Sequence, residues 1–187
     1  FFLGVILVLG ACDTSKDSAV AAAGDTAPAA TATNTNAEED LADVSNYRLT
    51  MDKYDRYITA QRNLMLKVKD MPPAKREAFE SRQSNDQNAS LDDMVKKIES
   101  EPIAKDAVRA AGLSPREFVM ITMSMMQTAM AAGFAKMRPN DNQDSLIREM
   151  KANPENVKFF TENEAELTRK QNAFEAEMQR LGATDDQ

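Results

Sequence analysis

The chain has 187 residues, 42% hydrophobic and 28% charged, with a formal net charge of −7, one Cys and no His. The negative balance excludes a phosphate-binding surface of clustered Lys and Arg, so nucleic acid is not an expected partner. Without His and with a lone Cys, the chain cannot build a Cys/His zinc site, an intramolecular disulfide or a His-assisted nucleophile, and neither a cofactor nor an enzymatic activity is expected.

The first element is the apolar run Phe1–Leu9, FFLGVILVL. It is too short to cross a bilayer, which takes about 20 helical residues. It fits the apolar region of a secretory signal peptide, with the small residues Gly10 and Ala11 behind it. Leu9-Gly10-Ala11-Cys12 resembles the lipobox of bacterial lipoproteins, in which an aliphatic and two small residues precede a Cys. The resemblance covers only these first twelve residues. It implies cleavage of residues 1–11 between Ala11 and Cys12, and fatty acyl chains (palmitate among them) attached at Cys12. It also implies a domain held at the cell envelope, facing the periplasm in a two-membrane cell. Each buried methylene contributes roughly 0.8 kcal/mol, so two or three chains hold a soluble domain stably. Asp13 directly after the Cys resembles an inner-membrane retention signal of enteric bacteria, and the choice of membrane stays open.

Residues 12–40 read as the lipidated Cys and a tether. Asp13–Ala37 is rich in Ala, Thr, Ser and Asn, with Val20 as its only large apolar side chain. Such a stretch cannot offset its own ordering entropy. As a random coil it would span about 28 Å.

Residues 41–187 carry helical periodicity and almost no alternating β-branched pattern. Thr50 is placed to cap a helix running to Lys69, with Val44, Tyr47, Met51, Tyr54, Ile58, Gln61, Met65 and Val68 on one stripe. Pro72-Pro73 ends it, and Ala74–Ala89 is a polar stretch with Phe79 as its one anchor, either a short helix or a loop. Ser90 and Asp93 resemble a capping box opening a helix to Ser100. Glu101-Pro102 restarts the chain, and Gly112 suits a helix end that needs positive φ. Ser114-Pro115-Arg116-Glu117 combines a capping Ser, Pro at N1 and Glu at N3, and opens a helix to Met137. A short amphipathic segment around Leu146, Ile147 and Met150 follows. Asn153-Pro154 opens one last long helix to Gly182, with a seam of Val157, Phe160, Glu164, Leu167, Gln171, Phe174, Met178 and Leu181. The expected fold is all-α, an antiparallel helical bundle of about four to six helices.

Phe118–Ala135 holds 18 residues without a charge, and six of the twelve Met lie between Met120 and Met137. A helix apolar nearly all round is expected to be a buried core helix. Two functional readings stand beside that one. Met123, Met126 and Met130 share a side and offer soft thioethers suited to copper(I). Alternatively, helix 115–137 lines a groove for an apolar ligand or an amphipathic partner, because Met adapts to varied shapes. Carboxylates such as Asp92, Asp93, Glu99, Glu101, Glu162, Glu164 and Glu166 are too numerous for any pair to single itself out as catalytic. Glu166 and Lys170 read as an exposed helix pair. The sequence therefore reads as a lipid-anchored envelope protein whose helical domain binds a protein partner, with an apolar-ligand or copper carrier as the alternative.

Overall fold

Side-chain caps punctuate the chain, and the helices fall between them. The computed structural model describes residues 35–82 and 89–182, so Ala11, Cys12 and the tether through residue 34 lie outside the described residues. The described residues contain nine helices and no strand. They are α1 (Thr35–Asn46), α2 (Met51–Lys69), α3 (Pro73–Arg82), α4 (Leu91–Ser100), α5 (Pro102–Ala110), α6 (Pro115–Met137), α7 (Gln143–Glu149), α8 (Pro154–Glu162) and α9 (Glu164–Arg180).

The caps work as the sequence suggests. Thr50 accepts the Lys53 N–H, and Ser90 accepts the Asp93 N–H. Ser114 and Glu117 form a reciprocal box, each side chain accepting the other's backbone N–H. Gly112 closes α5 at φ 76°, and the Leu113 N–H returns to the Val108 carbonyl.

The helix count exceeds the expected four to six for three local reasons. Ala74–Ala89 supplies α3, anchored by buried Phe79. The expected last long helix is broken at Asn163, whose side-chain amide donates to the Phe159 carbonyl and competes with the helical ladder. Residues 35–40, read with the tether, instead open α1. Asp40 accepts the Leu91 N–H at 2.8 Å, and Asp43 takes Arg116 at 2.8 Å, which joins α1 to α4 and α6.

α6 is the shared wall of three apolar clusters. Val108 of α5, Ala60 of α2 and Leu49 meet Leu113, Phe118 and Ile121. Val44 of α1 and Leu91 of α4 meet Val119 and Met120. Ala152 and Val157 of α8 meet Ala131. Ile121 has no exposed surface, and burying such a side chain contributes about 1.5–3 kcal/mol.

α2 is sandwiched. On one side it runs antiparallel to α5, with Arg56 donating to the Gly112 carbonyl and Asn63 to the Ala107 carbonyl. On the other it meets α9 through Tyr54 to the Leu167 carbonyl, Asp55 with Lys170, and Arg62 with Glu177. Residue numbers rise together in those three contacts, so α2 and α9 run parallel.

One buried amide ties the α1–α2 connection to α8. Asn156 is 1% exposed; its Oδ1 accepts the Leu49 N–H and its Nδ2 donates to the Tyr47 carbonyl, both at 2.8 Å. That pair of bonds satisfies the backbone N–H of buried Leu49 and the carbonyl of half-buried Tyr47.

Candidate functional site: the methionine face of α6

The two halves of α6 differ in what covers them. Its uncharged stretch is apolar on every side, so the sequence pattern gives it no preferred orientation. In the N-terminal half, Val119 and Met120 are buried and Met123 is half-buried against α1 and α4, beside Met94 and Val95. Further along, Ser124, Thr128, Ala131 and Ala132 face the protein and are buried. The opposite side is uncovered: Met126 is 43% exposed, Met130 51%, Phe134 41% and Met137 69%. Apart from Leu41, these four are the exposed large hydrophobics among the described residues.

The four residues share one side of the helix, at spacings of four, four and three. Gly133 lies beside them, and a side-chain carbon there would meet open space within 4 Å. The expectation of a wholly buried core helix therefore holds for the N-terminal half and for one side of the C-terminal half only. α6 is long and apolar enough to cross a bilayer by length and composition, yet half of that window is buried in the fold.

Of the three thioethers considered for copper(I), Met126 and Met130 are exposed while Met123 is turned toward the Val44–Leu91 cluster. The first two thus share an environment that the third does not.

The acidic candidates are dispersed. Glu164 is exposed and pairs with Lys136, and Glu101 takes Arg82 at 3.1 Å. Glu166 does reach Lys170 at 3.7 Å, but Lys170 sits closer to Asp55. Asp92 and Asp93 border a cavity of about 350 Å³ with Glu39, Asp40, Asp43 and Arg116. There Arg116 bridges Asp43 and Asp92 at 2.8 and 2.9 Å, and Asp40 is occupied by the Leu91 N–H. The hydrogen bond from the Ser90 hydroxyl, helped by Lys96, holds Asp93 below the usual carboxylate range, whereas a general acid needs the reverse shift. Among the described residues, no group of three or more His, Cys, Asp or Glu is placed to hold a metal ion.

Three tyrosines line α2 and its approach. Burial, reinforced by the charge of Glu117, pushes the Tyr47 phenol up to about 12. Its hydroxyl is buried without a hydrogen-bond partner among the described residues, while Lys53 lies 4.0 Å from the ring centroid. Burial likewise raises Tyr54 to about 12. It also raises Tyr57, against the partly offsetting hydrogen bond with Thr122.

The chain matches no known protein family, no curated protein and no solved structure. The Met face was only partly foreseeable: its residues were legible as one side of a helix, but which side stays uncovered depends on how α1, α4, α7 and α8 pack against α6.

Proposed function

We propose that the chain is a bacterial envelope lipoprotein whose helical domain is a non-enzymatic docking module, held to the membrane by acyl chains on Cys12. The observation that carries the docking part is the uncovered side of α6: Met126, Met130, Phe134 and Met137 in one line. Apolar patches of this kind on a soluble fold mark interaction surfaces. The anchor part rests on Leu9-Gly10-Ala11-Cys12 and the polar, Ala/Thr-rich stretch behind it.

Two measurements test the two parts separately. Envelope fractionation of the Cys12→Ala chain should move the protein from the membrane to the soluble fraction; full retention in the membrane refutes the anchor. Met126→Ser/Met130→Ser should leave the melting temperature within about 2 °C of wild type, because surface changes away from special features cost within about 0.5 kcal/mol. A large loss would mean that the face is part of the core rather than a surface for a partner.

The exposure of Met126 and Met130, two of the three thioethers considered for copper(I), also favours the second reading, a carrier of copper(I) or an apolar ligand. Such a ligand stabilises the native state by mass action. Copper(I) held by a soluble chelator, or an apolar ligand, should then raise the melting temperature, and no shift from either at roughly a thousandfold excess removes this reading.

A further inference from the structure

Resting on the docking reading, the geometry points to the occupant of this face: we infer that it takes a single amphipathic helix contributed by another protein. Three observations select that occupant. The first is area. At about 200 Å² for a fully exposed Met or Phe, the four side chains present roughly 400 Å². Any guest covering it buries about twice that in total, which is short of the roughly 1,200 Å² of a stable dimer with a second copy and fits a transient contact with a small element. The second is shape. From Met126 to Met137 the line rises about 16 Å, or three turns, and is one helix wide. A helix with apolar residues at i, i+4, i+7 and i+11 matches that length, with Gly133 leaving room for close backbone approach.

The third is charge. The cations at the end of α6 are already paired within the chain, Lys136 with Glu164 and Arg138 with Asp141, so they offer little to anionic lipid headgroups. The net charge of −7 favours a guest whose polar face carries Lys and Arg. Thioether side chains suit the role, because they re-pack around differing apolar knobs with little strain.

The test uses the full chain carrying Cys12→Ala, so that no acyl chain competes for the face. Its Met methyl groups are labelled with carbon-13. The probe is an 18-residue helix of Leu and Lys with its Leu on one face; the control is the same composition scrambled to remove that face. The amphipathic peptide should shift the Met126, Met130 and Met137 methyl signals saturably while Met178, 1% exposed, stays put. The scrambled peptide should shift none of these signals. Met130→Asp should weaken binding about tenfold or more while leaving the circular dichroism spectrum unchanged.

Several results would overturn the inference. Saturable shifts confined to other methyls, or none at all, remove it. Shifts that follow protein concentration without peptide assign the face to a second copy. Shifts produced by phosphatidylglycerol vesicles but not by the peptide assign it to lipid. Methyls already shielded from a soluble paramagnetic agent in the free chain assign it to another part of the chain itself. None of these outcomes bears on the anchor, which the Cys12→Ala fractionation reads independently.

Discussion

Asn156→Ala is the sharpest probe of how this fold is held together. The side chain makes two bonds of 2.8 Å to the backbone of the α1–α2 connection, a buried one from the Leu49 N–H and a part-buried one to the Tyr47 carbonyl. The two losses are unequal. The Tyr47 carbonyl keeps a bond from Asn153 at 3.2 Å, whereas Leu49, 3% exposed, loses the partner of its N–H. A buried donor left unsatisfied costs about 1–3 kcal/mol. The small cavity adds about 1 kcal/mol, for a total of roughly 2–4 kcal/mol. At about 3 °C per kcal/mol for a domain of this size, the melting temperature should fall by roughly 6–12 °C. Urea denaturation of the Cys12→Ala background, followed by far-ultraviolet circular dichroism, reads the difference. Asn156→Asp separates the hydrogen bond from the packing. Its carboxylate can still accept from Leu49, but only its protonated form can donate to the Tyr47 carbonyl. The folded pKa of that new acid therefore lies above the unfolded value of about 3.9. Stability linked to a raised acid is fully present below the unfolded pKa and is lost as pH rises through the folded one. Asn156→Asp should thus lie closer to wild type at pH 4 than at pH 7. A loss below about 0.5 kcal/mol for Asn156→Ala, or an Asn156→Asp deficit equal at both pH values, would refute the reasoning.

Three further outcomes follow from the geometry. Gly112→Ala should cost about 1 kcal/mol in urea titrations, because φ is +76° while the nearest outside atom, on Arg56, is at an ordinary 3.5 Å; a neutral result would mean that the turn relaxes. Ser114→Ala should cost about 1 kcal/mol and Ser114→Gly only a few tenths, measured the same way, because Gly is itself tolerated at an N-cap. All three phenols are raised, Tyr47 and Tyr54 to about 12, so their neutral forms favour the fold up to the unfolded pKa near 10, and that contribution is lost as pH rises from 10 through 12. Tyrosinate absorbance should accordingly appear together with loss of helix, and a titration of all three near pH 10 with helix intact would contradict the burial.

What was legible in the sequence was local chemistry. Ser114-Pro115-Arg116-Glu117 sets the start of α6, and its observed span, Pro115–Met137, is the one its flanking signals indicate. Thr50, Ser90 and Gly112 act over a few residues and need no tertiary context. What stayed hidden depends on distant partners. The opening of α1 looks like tether because its polar residues gain helical order only when Asp40, Asp43 and Val44 find α4 and α6. The second covered side of α2 runs through buried Ala60 and half-buried Asn63, residue types that do not announce a core face. Asn156 gives no signal in sequence, since an Asn in the first turn of a helix reads as exposed until its backbone partners more than a hundred residues away are in place.

The same logic explains why the Met face had to wait for the structure. Hydrophobic periodicity reports orientation by contrast between apolar and polar sides, and α6 has little contrast over its uncharged stretch. Its orientation is fixed by what surrounds it. Ser124 and Thr128, two of the four polar side chains in that stretch, are each 1% exposed, and Ser124 donates to the Val44 carbonyl. Met126, Met130 and Met137 face outward in their place. The arrangement inverts the usual pattern at one end of the central helix and keeps it at the other. A fold that only needed to be stable would gain from exchanging those two sides, because burying Met126 and Met130 would be more favourable than burying two hydroxyls. Keeping thioethers outside and hydroxyls inside is a cost to the isolated domain, and under the docking proposal a bound helix would offset it.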